Sequence, residues 1–366
     1  MSDYDYLNAR VRAKSVSLLP SESFDQIIAA EGQDILFDLL LNSSYGATIA
    51  AMLPEGAAGG VDQITRTVER ALRESVFRVI AGIRASAPEE PRRLINLQLN
   101  RWDLANIVTV LRGILRHADV GEIEGSLLPV GTYSPSRLSA LARLPDASAL
   151  AAGLRGSGNS FAGEIGRVIA EAISADRQRS HIVDTDATRE IEAMLYQRYF
   201  GWAIRQIDTT DSNQAVLRSC LGLQVDLINV TSVLKQVAYR AQSRQTGVLP
   251  RIGGGTMRQS VLDELQAVQT LDDALETLER THFAQAVERG VLVFGQTNRL
   301  SVLERFLEMV VINRGSRLFR ADPLSLAVPL GFIWRKLNEY LNLRILLRGR
   351  RYQLPSNAIR EELLLV

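Results

Sequence analysis

The chain has 366 residues, 46% hydrophobic and 23% charged, with a formal net charge of +1. This balance fits an ordinary globular protein of two or three domains or repeats, at roughly 100–200 residues each, and excludes the basic excess of a nucleic-acid binder. One cysteine, Cys220, rules out an internal disulfide and suits a reducing, cytoplasmic compartment; the positive charge is almost all arginine, the lysines being Lys14, Lys235 and Lys336.

In chain order, Met1 to Ala13 is polar and charged and predicts no secretory signal. It contains the pattern Asp5-Tyr6-Leu7-Asn8, with Lys14 six residues after the asparagine, then Leu19-Pro20 and Ser21. Gly56 to Gly60 and Ala87 to Pro91 read as breaks. The pattern returns as Asp103-Leu104-Ala105-Asn106 with Arg112, then Leu128-Pro129 and Ser134, with Pro135 at a favoured first helical position. Leu144 to Gly163, rich in glycine and alanine, reads as a loop, whereas Gly163 to Ser174 and Glu190 to Ile207 have the apolar spacing of helices. Cys220 lies in a helical pattern beside Leu221, the setting of an inert buried thiol. A third copy follows, Asp226-Leu227-Ile228-Asn229 with Lys235, then Leu249-Pro250 and Thr256. Ser260 to Val291 is helical, with Thr270 and Asp273 restarting a helix as a capping box. The longest apolar stretch, Leu324 to Trp334, contains Pro329 and is too short to span a membrane, which takes about 20 apolar residues. A truncated fourth copy, Glu339-Tyr340-Leu341-Asn342 with Arg348, then Leu354-Pro355 and Ser356, ends the sequence.

The fold class is therefore all-α, with an internal repeat. Ser21, Ser134, Thr256 and Ser356 are each placed as helix N-caps. The repeat predicts domains at 1–102, 103–225 and 226–338, with 339–366 closing the arrangement beside the N-terminal half-copy. Units of about 110 residues exceed the roughly 20–50 of a solenoid repeat, which favours a closed group of three helical domains. The acid and the asparagine are three residues apart and share a helix face, so the amide sits near the packed side and needs hydrogen-bond partners. It is expected to lock neighbouring helices, as a polar residue fixes register in a coiled coil. The base six residues on either pairs with an acid of the next helix or reaches a partner.

Glu339 to Ile345, preceded by Ile333-Trp334-Arg335-Lys336, resembles the C-terminal signature of the C subunit of V/A-type rotary ATPases, the family of the V-ATPase d subunit. Tyr6 to Arg12, Trp102 to Ile107 with Leu111-Arg112, and Leu195 to Phe200 resemble further family elements. The resemblance implies three similar domains around a pseudo-threefold axis, shaped like a funnel. It also implies partners: central rotor shaft subunits on the wide side and the membrane proteolipid ring on the other. The expected function is a non-catalytic central-stalk connector without nucleotide or other cofactor, peripheral on the cytoplasmic face. The competing expectation is a helical scaffold or adaptor unrelated to rotary motors.

Catalytic and metal motifs are not expected. No lysine has the glycines of a phosphate loop, and His117, His181 and His282 lack metal-ligand spacing. Gly156 to Phe161 reads as a loop; Arg251 to Thr256 reads as a loop and cap or as an anion nest at a helix start. Glu89-Glu90, Asp272-Asp273 and Glu361-Glu362 read as solvated pairs, and Trp102, Trp202 and Trp334 as core.

Overall fold

The structure, a computed structural model, describes residues 4–29, 33–53, 61–128, 130–177, 185–241 and 251–365. Gly56 to Gly60, Pro129, His181 and Leu249-Pro250 lie outside the described residues. Those described form α-helices and one 3₁₀ turn, with no strand among them. In chain order the helices are α1 (Asp5–Ser15), α2 (Ser21–Ala29), α3 (Gln33–Leu41), α4 (Gly46–Met52), α5 (Val61–Ser86) and α6 (Glu89–Leu115). Next come α7 (Val120–Ser126), α8 (Pro135–Ala142), α9 (Ala147–Arg155), α10 (Ser160–Arg177), α11 (Thr185–Arg205) and α12 (Ser212–Ala241). The chain ends with α13 (Gln259–Ala267), α14 (Leu271–Glu279), α15 (Ala284–Thr297), α16 (Leu300–Arg317), α17 (Ala327–Arg351) and α18 (Ser356–Glu362). Their contacts define two compact units. One is Met1–Asp103 with Leu128–Ser136 and Gly315–Val366; the other is Leu104–Leu127 with Arg137–Arg314.

The first unit is built on α17. Its apolar residues do not form one stripe: Leu330, Phe332, Ile333, Trp334, Leu337 and Tyr340 are all buried, so the helix is covered on most sides. It packs on α1, α3, α5 and α18, whose Leu7, Val11, Leu36, Val76, Ile80 and Ile359 are buried as well. Trp102 of α6 meets Trp334 edge to face at 5.8 Å. Pro329 falls in the first turn of α17, where its missing N–H is one of the donors a helix start leaves unused. The apolar stretch read in the sequence is thus the opening of a core helix.

In the second unit, Phe161 of α10 packs against Tyr199 and Trp202 of α11 at 5.7 and 5.8 Å, and Cys220 is buried on α12. The expected loop over 144–163 is largely helical. The Asp146 carboxylate accepts the Ala149 N–H at 2.7 Å and starts α9, which buries Leu150 and Leu154. Gly166 on α10 lets the two helices close up: a Cβ there would stand 2.7 Å from the Ala151 carbonyl oxygen. Gly166 thus permits the close packing of α9 and α10, and the break in the segment is confined to the four residues Gly156 to Asn159 between them.

Thr270 Oγ1 accepts the Asp273 N–H at 3.2 Å and restarts a helix, as expected, but a second break at Arg280–Phe283 divides the remainder into α14 and α15. Of the four assigned caps, Ser134 alone directly precedes its helix. Ser21 and Ser356 are the first residues of α2 and α18, and Thr256 stands apart from α13 because its groups bind elsewhere.

Burial pushes the Cys220 thiol up to about 12. At pH 8 the native protein should react with a thiol-specific disulfide reagent roughly a thousandfold more slowly than the urea-unfolded chain, since the thiolate is the reacting form. Equal rates would place Cys220 at the surface.

Candidate functional site

The repeated acid, asparagine and base converge on one arrangement, clearest on α12. Asp226 and Asn229 are buried on the same face. The Asn229 amide brackets one residue of backbone: its Nδ2 donates to the Ile252 carbonyl at 2.9 Å and its Oδ1 accepts the Ile252 N–H at 2.9 Å. One turn away, the Asp226 carboxylate accepts from the Thr256 N–H at 2.8 Å, the Thr256 hydroxyl at 2.5 Å and the Met257 N–H at 3.2 Å. Gly255 is needed because a Cβ there would lie 1.9 Å from Asp226 Oδ1. The glycine run read as either a loop and cap or an anion nest thus cradles an anion, and that anion is the chain's own carboxylate. His282 is a neighbour the spacing did not reveal. Its Nε2 lies 3.8 Å from Asp226 Oδ2; burial lowers its pKa, with Asp226 pulling the other way.

On α6 the same geometry recurs. The fully buried Asp103 accepts from the Thr132 N–H at 2.8 Å, the Thr132 hydroxyl at 2.6 Å and the Tyr133 N–H at 3.0 Å. A Cβ on Gly131 would stand 2.0 Å from Asp103 Oδ1. Burial still pushes the Asp103 carboxyl above the usual carboxylate range, although these bonds and Arg84 oppose it. Asn106 is buried one turn on.

The terminal copies exchange partners. Glu339 on α17 accepts from Lys336 Nζ at 2.6 Å and the Tyr45 hydroxyl at 2.5 Å, while its second oxygen accepts the Leu19 N–H at 2.6 Å. Asn342 brackets Leu364, donating to its carbonyl at 3.0 Å and accepting its N–H at 2.8 Å. Asn8 on α1 donates to the carbonyls of Pro323 and Ser325 at 2.8 and 2.9 Å, in the segment leading into α17. Asn8 of the N-terminal copy therefore holds C-terminal chain, while in the C-terminal copy Glu339 holds N-terminal chain and Asn342 holds C-terminal chain. Asp5 is half-buried. The amides were expected to lock helix to helix; those of Asn8, Asn229 and Asn342 instead hold the backbones of irregular segments.

Three of the bases meet acids on other helices, though not on the next helix in the sequence as expected. Arg112 makes a two-pronged bond to Glu192 of α11, Lys235 reaches Glu304 of α16 at 2.9 Å, and Arg348 reaches Glu69 of α5 at 3.2 Å. Lys14 is half-buried on α1. These glutamates were missed, though a signal existed. Glu69, Glu192 and Glu304 precede the acids Asp103, Asp226 and Glu339 by 34, 34 and 35 residues. The base side chains are about half exposed, at 51%, 48% and 43%, so each pair adds at most about 1 kcal/mol.

The buried carboxylates use their acceptor positions on structural donors, which makes them scaffold groups. Among the described residues no three His, Cys, Asp or Glu side chains gather as a metal-holding group. Replacing Asp226 by alanine leaves three donors without an acceptor and should lower stability by about 3 kcal/mol, whereas Lys235→Gln should cost about 0.5 kcal/mol. Urea-unfolding midpoints of the two variants test this; equal shifts would refute the clamp.

These features extend over nearly the whole chain, and so do its likenesses to known proteins. The model of the family described as ATP synthase (C/AC39) subunit matches residues 7–362. The chain is 22% identical over 364 residues to the C subunit of an A-type ATP synthase of Methanocaldococcus jannaschii, covering 100% of this chain and 87% of that one. It is 25% identical over 363 residues to the C subunit of a V-type ATP synthase of Deinococcus radiodurans, covering 98% and 91%. A third relative, the C subunit of an A-type ATP synthase of Desulfurococcus sp., is 25% identical over 347 residues, covering 93% and 85%. With the family model matched almost end to end, the chain belongs to the ATP synthase (C/AC39) subunit family.

Proposed function

We propose that this protein is the non-catalytic connector of the central stalk of a V/A-type rotary ATPase. It joins the rotor shaft subunits to the membrane proteolipid ring on the cytoplasmic face and turns with them. ATP-linked ion transport comes to it through its relatives, which are named as A-type and V-type ATP synthase subunits. Family membership removes the ground for an adaptor unrelated to rotary motors.

One observation carries the connector reading: the threefold recurrence of a buried acid and asparagine with a base that pairs across to another helix. The base of α6 pairs with α11, that of α12 with α16, and that of α17 with α5. In each case the base meets the glutamate of the next helix pair in order, and the last returns to the first. This supports the proposed repeats at 1–102, 103–225 and 226–338, with 339–366 completing the first, around a pseudo-threefold axis. Torque loads every side of a rotating joint in turn, so equivalent contacts suit that work better than a single anchor. The funnel form and its two faces follow from the same reading. Among the described residues no single helix is long and apolar enough to cross a membrane, which fits a peripheral position.

The test is reconstitution into proteoliposomes. Complexes lacking this protein should retain ATP hydrolysis while ATP-driven pumping of protons or sodium ions falls to background; adding the protein back should restore pumping. Pumping that persists without it would overturn the connector role.

A further inference from the structure

A cavity of about 390 Å³ opens in the first unit between the α1–α2 connection and α17, within the approximate 300–1,000 Å³ range of ligand clefts. Its apolar wall includes Leu18, Pro20, Phe24 and Leu365. Three polar groups face it in an unusual state. Arg335, on α17, donates through Nε to the Ser316 carbonyl at 3.3 Å and lies over the Phe319 ring at 4.7 Å. Among the described residues neither it nor Arg320, exposed on the 3₁₀ turn, has a carboxylate partner within ion-pair distance. Asn338 is 6% exposed; its Nδ2 donates to Leu364, but its Oδ1, a buried acceptor, has no hydrogen-bond partner among the described residues.

An orphan acceptor and two guanidinium groups without a carboxylate partner among the described residues, at one cavity, specify a ligand carrying both an N–H and an anion. The charge count narrows the anion. Glu339, also in the wall, is neutralised by Lys336 at 2.6 Å, and Glu22 offsets one of the two arginines. One positive charge remains, which suits a monoanionic carboxylate better than a dianionic phosphate. We propose that this cavity binds an acidic residue within an extended peptide segment of a partner protein. The carboxylate meets Arg320 and Arg335, the backbone N–H meets Asn338 Oδ1, and a flanking apolar side chain lies on Leu18 and Phe24. Burial and the nearby Arg320 charge lower the Arg335 pKa, and a bound carboxylate would relieve this strain. The inference is independent of the connector reading.

The experiment uses the full chain with two capped peptides, acetyl-Leu-Glu-Leu-amide and acetyl-Leu-Gln-Leu-amide. Binding is followed by saturation-transfer NMR and by calorimetry, with inorganic phosphate as competitor. The glutamate peptide should bind at least about tenfold more tightly than the glutamine peptide, the gain expected of one desolvated charge-assisted pair. Arg335→Gln should erase the preference. Arg320→Gln, at an exposed side chain, should reduce it several-fold with an unchanged circular dichroism spectrum, and it keeps the test open if Arg335→Gln does not fold. The proposal is overturned by equal affinity for the two peptides, by no binding at about 10 mM peptide, by indifference to Arg320→Gln, or by phosphate binding more tightly than the glutamate peptide.

Discussion

A carboxylate removed from water must be met by donors or positive charge, because leaving it unmatched costs several kcal/mol. This chain places such a carboxylate on each of three long helices, and the surrounding structure follows from satisfying it. Asp103 and Asp226 are met by two consecutive backbone N–H groups and a threonine hydroxyl, which forces the incoming segment to approach through a glycine. Glu339 has a longer side chain and a different solution: a buried lysine that also lies over the Tyr45 ring at 4.2 Å, a tyrosine hydroxyl and one backbone N–H. The Tyr45 pKa is raised well above its ordinary value, by burial first and by the Glu339 charge second, so the hydroxyl keeps its proton and remains a donor.

The clamps explain how irregular chain is held rigid. Turns carry unpaired backbone groups that normally face water. Here an asparagine side chain supplies both the donor and the acceptor that a residue such as Ile252 or Leu364 would otherwise find in a strand partner. The chain is bolted to a helix without a sheet. Among the described residues, whose regular structure is all helical, the segments at Ile252 and Leu364 are thereby fixed to helices.

The sequence revealed the helices, the spacing of acid, asparagine and base, and the breaks at Ala87 to Pro91 and Thr270. These are local signals: periodicity, capping and backbone punctuation within one turn or two. It hid what the motif grips. Apart from the Thr256 hydroxyl, the hydrogen-bond partners of Asn229 and Asp226 are backbone atoms more than 20 residues away, and backbone atoms leave no mark on residue identity beyond Gly255. Thr256 was read as a cap because a hydroxyl near a helix start has that use more often than a bond to a distant carboxylate. The α9 helix was obscured because Gly153, Gly156 and Gly158 outweighed the Asp146 cap and the buried Leu150 and Leu154. Glu69, Glu192 and Glu304 escaped because a single glutamate on a helix looks like solvated surface until its register with a motif some 34 residues later is noticed.

The exchange at the termini ties these strands together. Asn8 serves the segment entering α17, while Glu339 and Asn342 on α17 serve Leu19 and Leu364. Neither end is self-sufficient: without the α1–α2 connection, Glu339 loses a backbone donor, and without the entry to α17, the Asn8 amide loses both of its acceptors. The first unit is therefore closed by polar groups separated by more than 300 residues, and these bonds form only once the rest of the chain has brought its ends together. Glu339 thus draws its backbone donor from 320 residues away, whereas Asp226 and Asn229 find theirs within one stretch of sequence. Asn8 and Glu339, from opposite ends of the sequence, thus both hold connecting chain within the first unit.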